Sequence, residues 1–426
     1  MRSRVRAPSA TPMKQNKVQT LKGFRDFLPE ALTVRNYVKN LLIETFETFG
    51  FEPLETPVLE YASVLKGKYS SETDNKLGYF FKDNGDREVG MRYDLTVPTA
   101  KVLAIYNQQL PQPFKRYQIQ PVWRADNTQK GRYREFLQCD IDTFGSNSII
   151  ADAEIAAVIY QVLQKLNFKE FTIQISSRKI LKEILVKSGV TENQNSILLS
   201  IDKLLKINED GVTKELISKG LNTTQINNIF KYIKTAQPDE NLLQFFSYIE
   251  KMGVPPSAYK FEPTLVRGSD YYTGIIFETK VSKPLIGSIG GGGRYDNLIE
   301  SLGGPNIPAV GYSFGFEPLI DCILELNLLP NLSKTKTKIL IANFGDETLS
   351  ESLALITTLR NNNINSSFYP DADKLGKQFK YANNLNIPFV AMIGTDELKN
   401  NSVTIKNMLT GDQKTINQSE VLKFLL

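Results

Sequence analysis

Residues 124–142 constrain the fold more than any other stretch of this 426-residue sequence. Two extended runs flank a loop of turn-forming and charged residues, which is typical of a β-hairpin with a long basic tip. Because alternate side chains of a strand point to opposite faces, the second run has one apolar face. Its other face carries Arg132, Arg134, Phe136, Gln138, Asp140 and Asp142. Two interpretations remain open: an exposed face stabilised by cross-strand ion pairs, or a polar site on a sheet.

Two further segments combine charged and apolar residues in the same way. Arg92 and Asp94 share one face of a short run whose other face is apolar. The segment Leu265-Val-Arg-Gly-Ser-Asp-Tyr-Tyr-Thr-Gly274 has Arg267 at the end of an apolar run, followed by paired tyrosines. An arginine at a strand end beside glycines favours contact with a ligand. Together these segments favour the polar site.

The glycine-rich stretch Gly290-Gly-Gly-Gly-Arg-Tyr-Asp296 indicates a close approach of two backbones. It lacks the Lys-Ser or Lys-Thr pair of a phosphate-binding P-loop, and no βαβ dinucleotide fingerprint surrounds it. The usual nucleotide-binding folds are therefore disfavoured.

Hydrophobic periodicity predicts the elements of the first three quarters of the chain. Apolar residues recur at helical spacing from Val34 to Phe49, and Gly50 ends this helix. A polar helical pattern over about residues 180–252 predicts an insertion within a sheet domain, and a further helix is expected near residues 96–106. Strands are expected at residues 79–82, 88–94, 116–124, 134–144, 264–266, 275–280 and 310–316. Few crossover helices join these strands, which is typical of a region that builds a sheet.

The last quarter of the chain has a different organisation. A Lys/Thr/Ser linker at residues 331–338 precedes alternating strands and helices, which predicts a separate α/β domain. The expected elements lie at residues 339–343, 349–360, 366–369, 374–383 and 389–393. We therefore expect two domains, residues 21–330 and 334–426, after a disordered basic leader at residues 1–20.

Composition limits the classes of protein and site. The chain has two cysteines, Cys139 and Cys322, and no histidine, so a zinc site has almost no ligands. Few cysteines also favour a reducing compartment, and we expect a cytoplasmic protein. The sequence contains no run of about 18 apolar residues, so no membrane-spanning helix is predicted. Residues 1–22 contain six basic residues and no acidic one, so the net charge of +5 comes from the leader.

These segments resemble the class II aminoacyl-tRNA synthetases, and specifically the histidyl-tRNA synthetase family. The hairpin is similar to the second motif of the class, and residues 265–274 are similar to the histidine signature of the family. The start, Lys22-Gly-Phe-Arg-Asp-Phe-Leu-Pro29, resembles the family as well. The resemblance implies an α+β catalytic domain with an antiparallel sheet flanked by helices, and a C-terminal anticodon-binding domain. It also implies a homodimer, with about residues 34–57 at the interface.

The resemblance further implies which residues form the site. Those expected to bind histidine are Asp94, Thr96, Gln138, Asp142, Arg267, Tyr271 and Tyr272. Those expected to bind ATP are Arg124, which would also line the amino-acid site, Asp126, Arg132 and Arg294. Arg124 and Arg267 are expected to be catalytic, and the acceptor end of tRNA(His) is expected to contact Gln129, Lys130 and Arg132. Mg²⁺ is expected to arrive with the ATP phosphates, without a metal site made by the protein.

One residue departs from the family pattern. The third motif of the class ends in a Glu-Arg pair whose arginine binds ATP phosphate, whereas this chain has Pro318 after Glu317. Proline supplies neither charge nor a backbone donor. The alternative to an active enzyme is thus a regulatory paralogue that binds histidine or tRNA without catalysis. A purely RNA-binding module fits less well, because Asp94 and Asp142 would face a phosphate-rich partner.

Overall fold

The computed structural model describes residues 18–66, 78–128, 131–267, 271–284, 286–330 and 332–425. The leader is therefore outside the described residues up to position 17. Contacts between Cα atoms divide the chain into two compact units. The first contains Arg35–Leu329 together with the segment that ends at Phe27, and the second contains Leu28–Val34 and Pro330–Leu426.

An eight-stranded sheet forms the centre of the first unit, in the order β1-β5-β6-β11-β10-β9-β7-β8. Its strands are β1 (Glu52–Pro53), β5 (Phe114–Trp123), β6 (Glu135–Phe144), β7 (Phe171–Ser177), β8 (Tyr259–Phe261), β9 (Ile275–Val281), β10 (Ser288–Arg294) and β11 (Ala309–Gly315). The six central strands pair antiparallel, and only the two edge strands pair parallel to their neighbours. A smaller sheet has the order β2-β4-β3 and consists of β2 (Leu59–Tyr61), β3 (Tyr79–Lys82) and β4 (Glu88–Met91). The predicted antiparallel core is confirmed.

Helices flank this sheet and also form a continuous helical segment. The flanking helices are α1 (Pro29–Thr48), α2 (Ala62–Leu65), α3 (Thr96–Tyr106), α4 (Ile149–Lys165), α10 (Leu298–Ser301) and α11 (Phe316–Glu325). The helical segment contains α5 (Arg178–Lys187), α6 (Gln194–Ile201), α7 (Leu204–Ser218), α8 (Thr223–Thr235) and α9 (Glu240–Lys251), and a 3₁₀ turn follows at Pro256–Ala258. The backbone of α7 is interrupted at Asn208, where φ is 57°.

Helix α1 packs on the large sheet through the apolar residues that recur at helical spacing. Val38, Leu42 and Phe46 recur every four residues and are fully buried, so they form one stripe of the helix. The ring of Phe46 lies 5.9 Å from that of Tyr117 on β5 and 5.7 Å from that of Phe314 on β11. The stripe therefore covers the apolar face of the sheet, and the opposite face remains for polar residues.

The strand predicted at residues 264–266 is wrong. This segment is a turn and an irregular stretch, because its backbone hydrogen bonds go elsewhere. The N–H groups of Val266 and Arg267 both donate to Oδ1 of Asp202, each at 3.3 Å. Arg267 has φ of +64°, which a strand does not allow.

The second unit contains a five-stranded mixed sheet in the order β13-β12-β14-β15-β16. Its strands are β12 (Ile339–Ile341), β13 (Ser366–Phe368), β14 (Phe389–Met392), β15 (Ser402–Asn407) and β16 (Gln413–Asn417). Its helices are α12 (Asp346–Asn361), α13 (Leu375–Asn384), α14 (Thr395–Lys399) and α15 (Val421–Leu425), with a 3₁₀ turn at Gln418–Glu420. Separate apolar clusters pack on the two faces of the sheet, which confirms the predicted α/β domain.

Among the described residues, no helix combines the length and apolar character that a bilayer crossing requires.

Candidate active site

One face of the large sheet carries a row of five polar residues and one glycine that runs across six strands. The residues pair with one another in register, from the second strand to the seventh. In order, the row consists of Gln118, Asp140, Ser313, Gly291, Glu278 and Gln174. Because side chains alternate between faces, the neighbouring rows at two-residue spacing lie on the same face. These rows together form one polar surface on the sheet, which we call the polar floor of the site.

A buried ion pair lies in the next row of this floor. Arg116 is fully buried, and its Nη2 lies 2.6 Å from Oδ2 of Asp142, the residue opposite it in the strand pair. The hydroxyl of Tyr295 donates to Oδ1 of the same carboxylate. Gly311 lies opposite Asp142 on the other side, and a Cβ at this glycine would overlap the carboxylate. Asp142, a predicted histidine ligand, thus pairs with Arg116 and Tyr295, and Gly311 leaves the space that its carboxylate occupies.

Asp140 lies beside Asp142 and also close to Asp94. It is 3% exposed, and burial raises its pKa to about 7, with a contribution from the charge of Asp142 and a smaller one from Asp94, while Arg116 acts in the opposite direction. The amide Nε2 of Gln138 donates to Oδ2 of Asp140 at 2.9 Å. Within the described part of the chain, Oε1 of Gln138 is buried without a hydrogen-bond partner, whereas the carboxyl of Asp140 also interacts with the side chain of Ser313 opposite it on β11. The amide oxygen of Gln138 is therefore the acceptor that a ligand could satisfy in this buried polar site.

Asp94 and Thr96 lie where the small sheet leads into α3. Asp94 is 3% exposed, and its Oδ1 accepts the N–H of Val97 at 3.0 Å. Thr96 is the first residue of the helix and is half-buried. Both predicted histidine ligands therefore lie at a helix N-terminus, and Asp94 lies near enough to Asp140 to influence its pKa.

Arg124 lies at the start of the hairpin loop. Its Nε donates to the carbonyl oxygen of Tyr93 at 2.9 Å, and its guanidinium carbon lies 5.1 Å from the ring centre of Phe136. The side chain of Arg124 is thus held by the ring of Phe136 and by the backbone of the residue that precedes Asp94. Among the other predicted loop residues, Asp126 is half-buried and Arg132 is exposed. Gln129 and Lys130 lie outside the described residues.

Arg267 lies over the glycine-rich strand. Its Nη1 is 3.1 Å from Oε1 of Glu278, which is the neighbour of Gly291 in the sheet. A Cβ at Gly291 would overlap the guanidinium of Arg267. The glycine-rich stretch thus leaves room for the guanidinium of Arg267 against the sheet. The sequence indicated a close approach of two backbones, which occurs between Gly292 and Gly311. At Gly291 the group that approaches is a side chain.

The paired tyrosines join this arginine to the acidic side of the site. Residues 268–270 lie outside the described residues. The ring centres of Tyr271 and Tyr272 are 4.6 Å apart, and Tyr271 meets the ring of Tyr295 edge-on at 5.6 Å. Since Tyr295 binds Asp142, the predicted ligands Tyr271 and Asp142 share one neighbour.

Arg294 is engaged in a different way from the other arginines. Its Nε and Nη2 donate to Asp152, and the remaining N–H groups donate to Asp296 and to the carbonyl oxygens of Ser146 and Ser148. All five N–H groups are therefore used by oxygens of the chain, of which only the carbonyl of Ser148 belongs to an exposed residue. ATP binding by Arg294 stays a prediction, and the geometry favours a structural role instead.

Glu317, before Pro318, belongs to a cluster of arginines and aromatic rings. Arg35 binds both its carboxylate oxygens, at 2.8 and 2.7 Å, and Nη2 of Arg25 lies 2.7 Å from Oε2. The guanidinium carbon of Arg25 lies 3.3 Å from the ring centre of Tyr133 in the hairpin loop. The cluster thus connects the segment before α1, the loop and α11.

Several residues of the site were missed by the sequence analysis. Glu278 acquires its role through pairing between distant strands, which periodicity does not reveal. The sequence does single out the glycine-rich stretch that contains Gly291 and Tyr295, but not their contacts with Arg267 and Asp142. Arg116 and Gln118 had a detectable signal, since they alternate on β5 as Gln138, Asp140 and Asp142 do on β6.

Comparison with known proteins gives a consistent result along the chain. Residues 23–319 match the family described as histidyl-tRNA synthetase, and residues 338–426 match the family described as anticodon binding domain. The histidine–tRNA ligase of Cytophaga hutchinsonii is 38% identical over 95% of this chain and 98% of its own length. That of Clostridium tetani is 38% identical over 96% of this chain and 98% of its own.

Solved structures are also similar. The histidyl-tRNA synthetase from Nostoc sp. PCC 7120 aligns with a TM-score of 0.83 and 28% identity, over 96% of this chain and 99% of its own. A Bacillus halodurans protein described as an ATP phosphoribosyltransferase regulatory subunit/histidyl-tRNA synthetase aligns with a TM-score of 0.72 over 87% of this chain and 97% of its own. At 20% identity this second likeness shows the fold alone.

Proposed function

Since the chain belongs to the histidyl-tRNA synthetase family, we propose that it joins L-histidine to tRNA(His) in two steps. Histidine first reacts with ATP to form histidyl-adenylate and pyrophosphate, and the histidyl group then passes to the 3′ end of the tRNA. The observation that carries this proposal is the shared sheet face, on which Arg267 lies over Gly291 while Gln138 and Asp142 lie two strands away.

The polar floor suits the amino-acid substrate. The α-ammonium of histidine needs acceptors, which the buried Oε1 of Gln138 and the carboxylate of Asp94 can supply. The imidazole has two distinct nitrogens, and Asp142 together with a hydroxyl of Tyr271 or Tyr272 can bind them. A site built from such partners rejects analogues that leave them unpaired, by about 10⁴-fold in favourable cases.

The arginines suit the activation step. The carboxylate of histidine is already ionised at neutral pH, so it can attack the α-phosphorus of ATP without a general base, and pyrophosphate leaves. The main barrier is the approach of two anions and the charge on the phosphoryl oxygens. Arg124 and Arg267 supply fixed positive charge there, and removal of either is expected to lower the rate by about 10²-fold.

ATP is proposed to bring Mg²⁺ with it. Within the described ranges, no group of three or more acidic or sulfur side chains is placed to hold a metal ion. We assign the ion to the phosphates, where it would neutralise the departing pyrophosphate. Asp126 and Arg132 complete the proposed ATP contacts. The N–H groups of Arg294 are all engaged by oxygens of the chain, so we assign this arginine a structural role instead.

The tRNA is proposed to contact both domains. Gln129, Lys130 and Arg132 at the tip of the hairpin loop would meet the acceptor end, and residues 334–426 would bind the anticodon as unstacked bases. In this division residues 21–330 form the catalytic domain, with the helical insertion at about 180–252. A homodimer through about residues 34–57 and a cytoplasmic location belong to the same proposal, and the latter is supported by two free, buried cysteines.

Because Pro318 replaces the arginine of the third motif, the activation of histidine by ATP is the step to test first. The regulatory alternative requires that the missing motif arginine abolishes activation, but neither the contacts of the site nor the comparisons favour it. The first experiment is histidine-dependent exchange of pyrophosphate into ATP, with Arg267→Ala and Pro318→Arg beside the wild type. Exchange with histidine alone among the amino acids, abolished by Arg267→Ala, is the expected result. Absence of exchange in the wild type together with exchange in Pro318→Arg would instead identify a protein that retains the pocket and lacks the chemistry.

A further inference from the structure

The amide of Gln138 has a defined orientation in this structure. Gln138 and Asp140 are two residues apart on β6, so their side chains stand side by side on the polar face. Nε2 of Gln138 donates to Oδ2 of Asp140 at 2.9 Å. An ionised carboxylate accepts hydrogen bonds only, so it binds the NH₂ end of the amide and leaves the oxygen directed elsewhere.

The amide oxygen of Gln138 indicates what kind of group the site can bind. Oε1 of Gln138 is buried and, within the described residues, has no hydrogen-bond partner. A buried acceptor without a donor is unfavourable, so this oxygen is suited to receive a donor from a ligand. If the amide were reversed, the same position would present two N–H donors and would repel a cation.

We propose that Asp140 is a positioning residue, which holds the amide of Gln138 so that its oxygen faces the α-ammonium of the amino-acid substrate. The inference rests on the proposed function, because it takes histidine as the ligand. Asp140 itself need not touch the substrate. Its role differs from that of Asp94, which is proposed to accept from the ammonium directly.

The surroundings make this orientation sensitive to pH. Three charged groups face Asp140: Arg116 from β5, Asp142 from the same strand and Asp94 from the segment before α3, and the hydroxyl of Ser313 lies opposite it on β11. Burial, together with the two carboxylates, raises the pKa of Asp140 to about 7. Above this pH the carboxylate accepts from Nε2. Below it the carboxylic acid can donate to Oε1, the amide can turn, and affinity for the ammonium falls.

The first test compares two ligands on the wild-type enzyme. Binding of L-histidine and of imidazolepropionate, which lacks the amine, is measured by calorimetry from pH 6 to pH 8.5. Both ligands carry an imidazole that titrates in this range, but the α-ammonium lowers the imidazole pKa of histidine relative to that of imidazolepropionate. Each affinity is therefore corrected for the measured titration of its own ligand before the ratio is taken. The ratio is expected to favour histidine about tenfold less at pH 6 than at pH 8.5, the effect of one hydrogen bond to a charged group. A ratio independent of pH would overturn the inference, whereas absence of histidine binding would overturn the proposed function.

The second test is a double-mutant cycle on histidine KM in pyrophosphate exchange. Asp140→Asn can bind either end of the amide, so it is expected to raise KM for histidine about tenfold and to lower kcat much less. In a Gln138→Glu background the side chain at 138 has only acceptors and needs no orientation. There Asp140→Asn is expected to leave KM unchanged or to lower it, because a like charge is removed. An equal rise of KM in both backgrounds would mean that Asp140 acts through its charge alone.

Discussion

The guanidinium of Arg267 lies against the backbone of Gly291, at a position where any Cβ would overlap it. The neighbouring strand supplies Glu278, whose Oε1 is 3.1 Å from Nη1 of the arginine. A glycine in the middle of a strand loses more conformational entropy on folding than another residue would. At position 291 it leaves room for a charged side chain on the sheet.

We expect Gly291→Ala to displace the guanidinium and to lower the rate of pyrophosphate exchange by about 10²-fold, comparable to loss of one preorganised donor. The rate is measured at saturating histidine and ATP. Gly376→Ala is the matched control, because a Cβ there meets nothing within 4 Å and the residue lies in a helix. Equal activity of both variants would show that the position of Arg267 does not matter.

The backbone of Arg267 depends on the helical segment. Asp202 accepts the N–H groups of Val266 and Arg267, each at 3.3 Å, and Arg267 has φ of +64°. Asp202→Ala is expected to release this conformation and to lower kcat in exchange by about tenfold, because catalytic geometry is sensitive to shifts of about 1 Å. Asp239→Ala removes an N-cap to Leu242 in the same segment and serves as the control for lost stability alone. If both variants lose activity in parallel with their thermal midpoint, the positioning role of Asp202 is wrong.

Arg294 should affect stability more than ATP binding. Its side chain is 11% exposed and is paired with Asp152, whose side chain is 1% exposed. Because Arg294→Ala leaves a buried carboxylate unpaired, we expect a loss of about 3–5 kcal/mol in the free energy of unfolding. The folded fraction should keep the KM for ATP of the wild type. A raised KM with an unchanged thermal midpoint would restore Arg294 as an ATP ligand.

Glu317 should stabilise the first unit in a pH-dependent way. Burial acts to raise the pKa of its carboxyl, but the hydrogen bonds and charges of Arg35 and Arg25 outweigh this, so the pKa lies below its ordinary value of 4.5. The stabilisation is therefore fully present above pH 4.5 and is lost as the pH falls through the folded-state pKa. The difference in thermal midpoint between wild type and Glu317→Gln should shrink below pH 4.5, as followed by fluorescence of Trp123, the one tryptophan of the chain. A difference that stays constant to pH 3 would contradict the pairing.

The sequence by itself determined the local character of each element. Alternation along β6 placed Gln138, Asp140 and Asp142 on one polar face, and helical periodicity placed Val38, Leu42 and Phe46 on one buried stripe. Both patterns are read from neighbours in the chain, because the repeat of a strand or helix depends on backbone geometry alone.

Tertiary structure alone decided which faces meet. The order β5-β6-β11-β10-β9-β7 brings Asp140, Gly291 and Glu278 into one row although they are far apart in the chain. It also makes residues 264–266 a turn and an irregular stretch instead of the predicted strand, because the N–H of Leu265 donates to the carbonyl of Glu262 and that of Val266 to the carboxylate of Asp202. Strand order and such capping bonds depend on long-range pairing, which local periodicity does not encode.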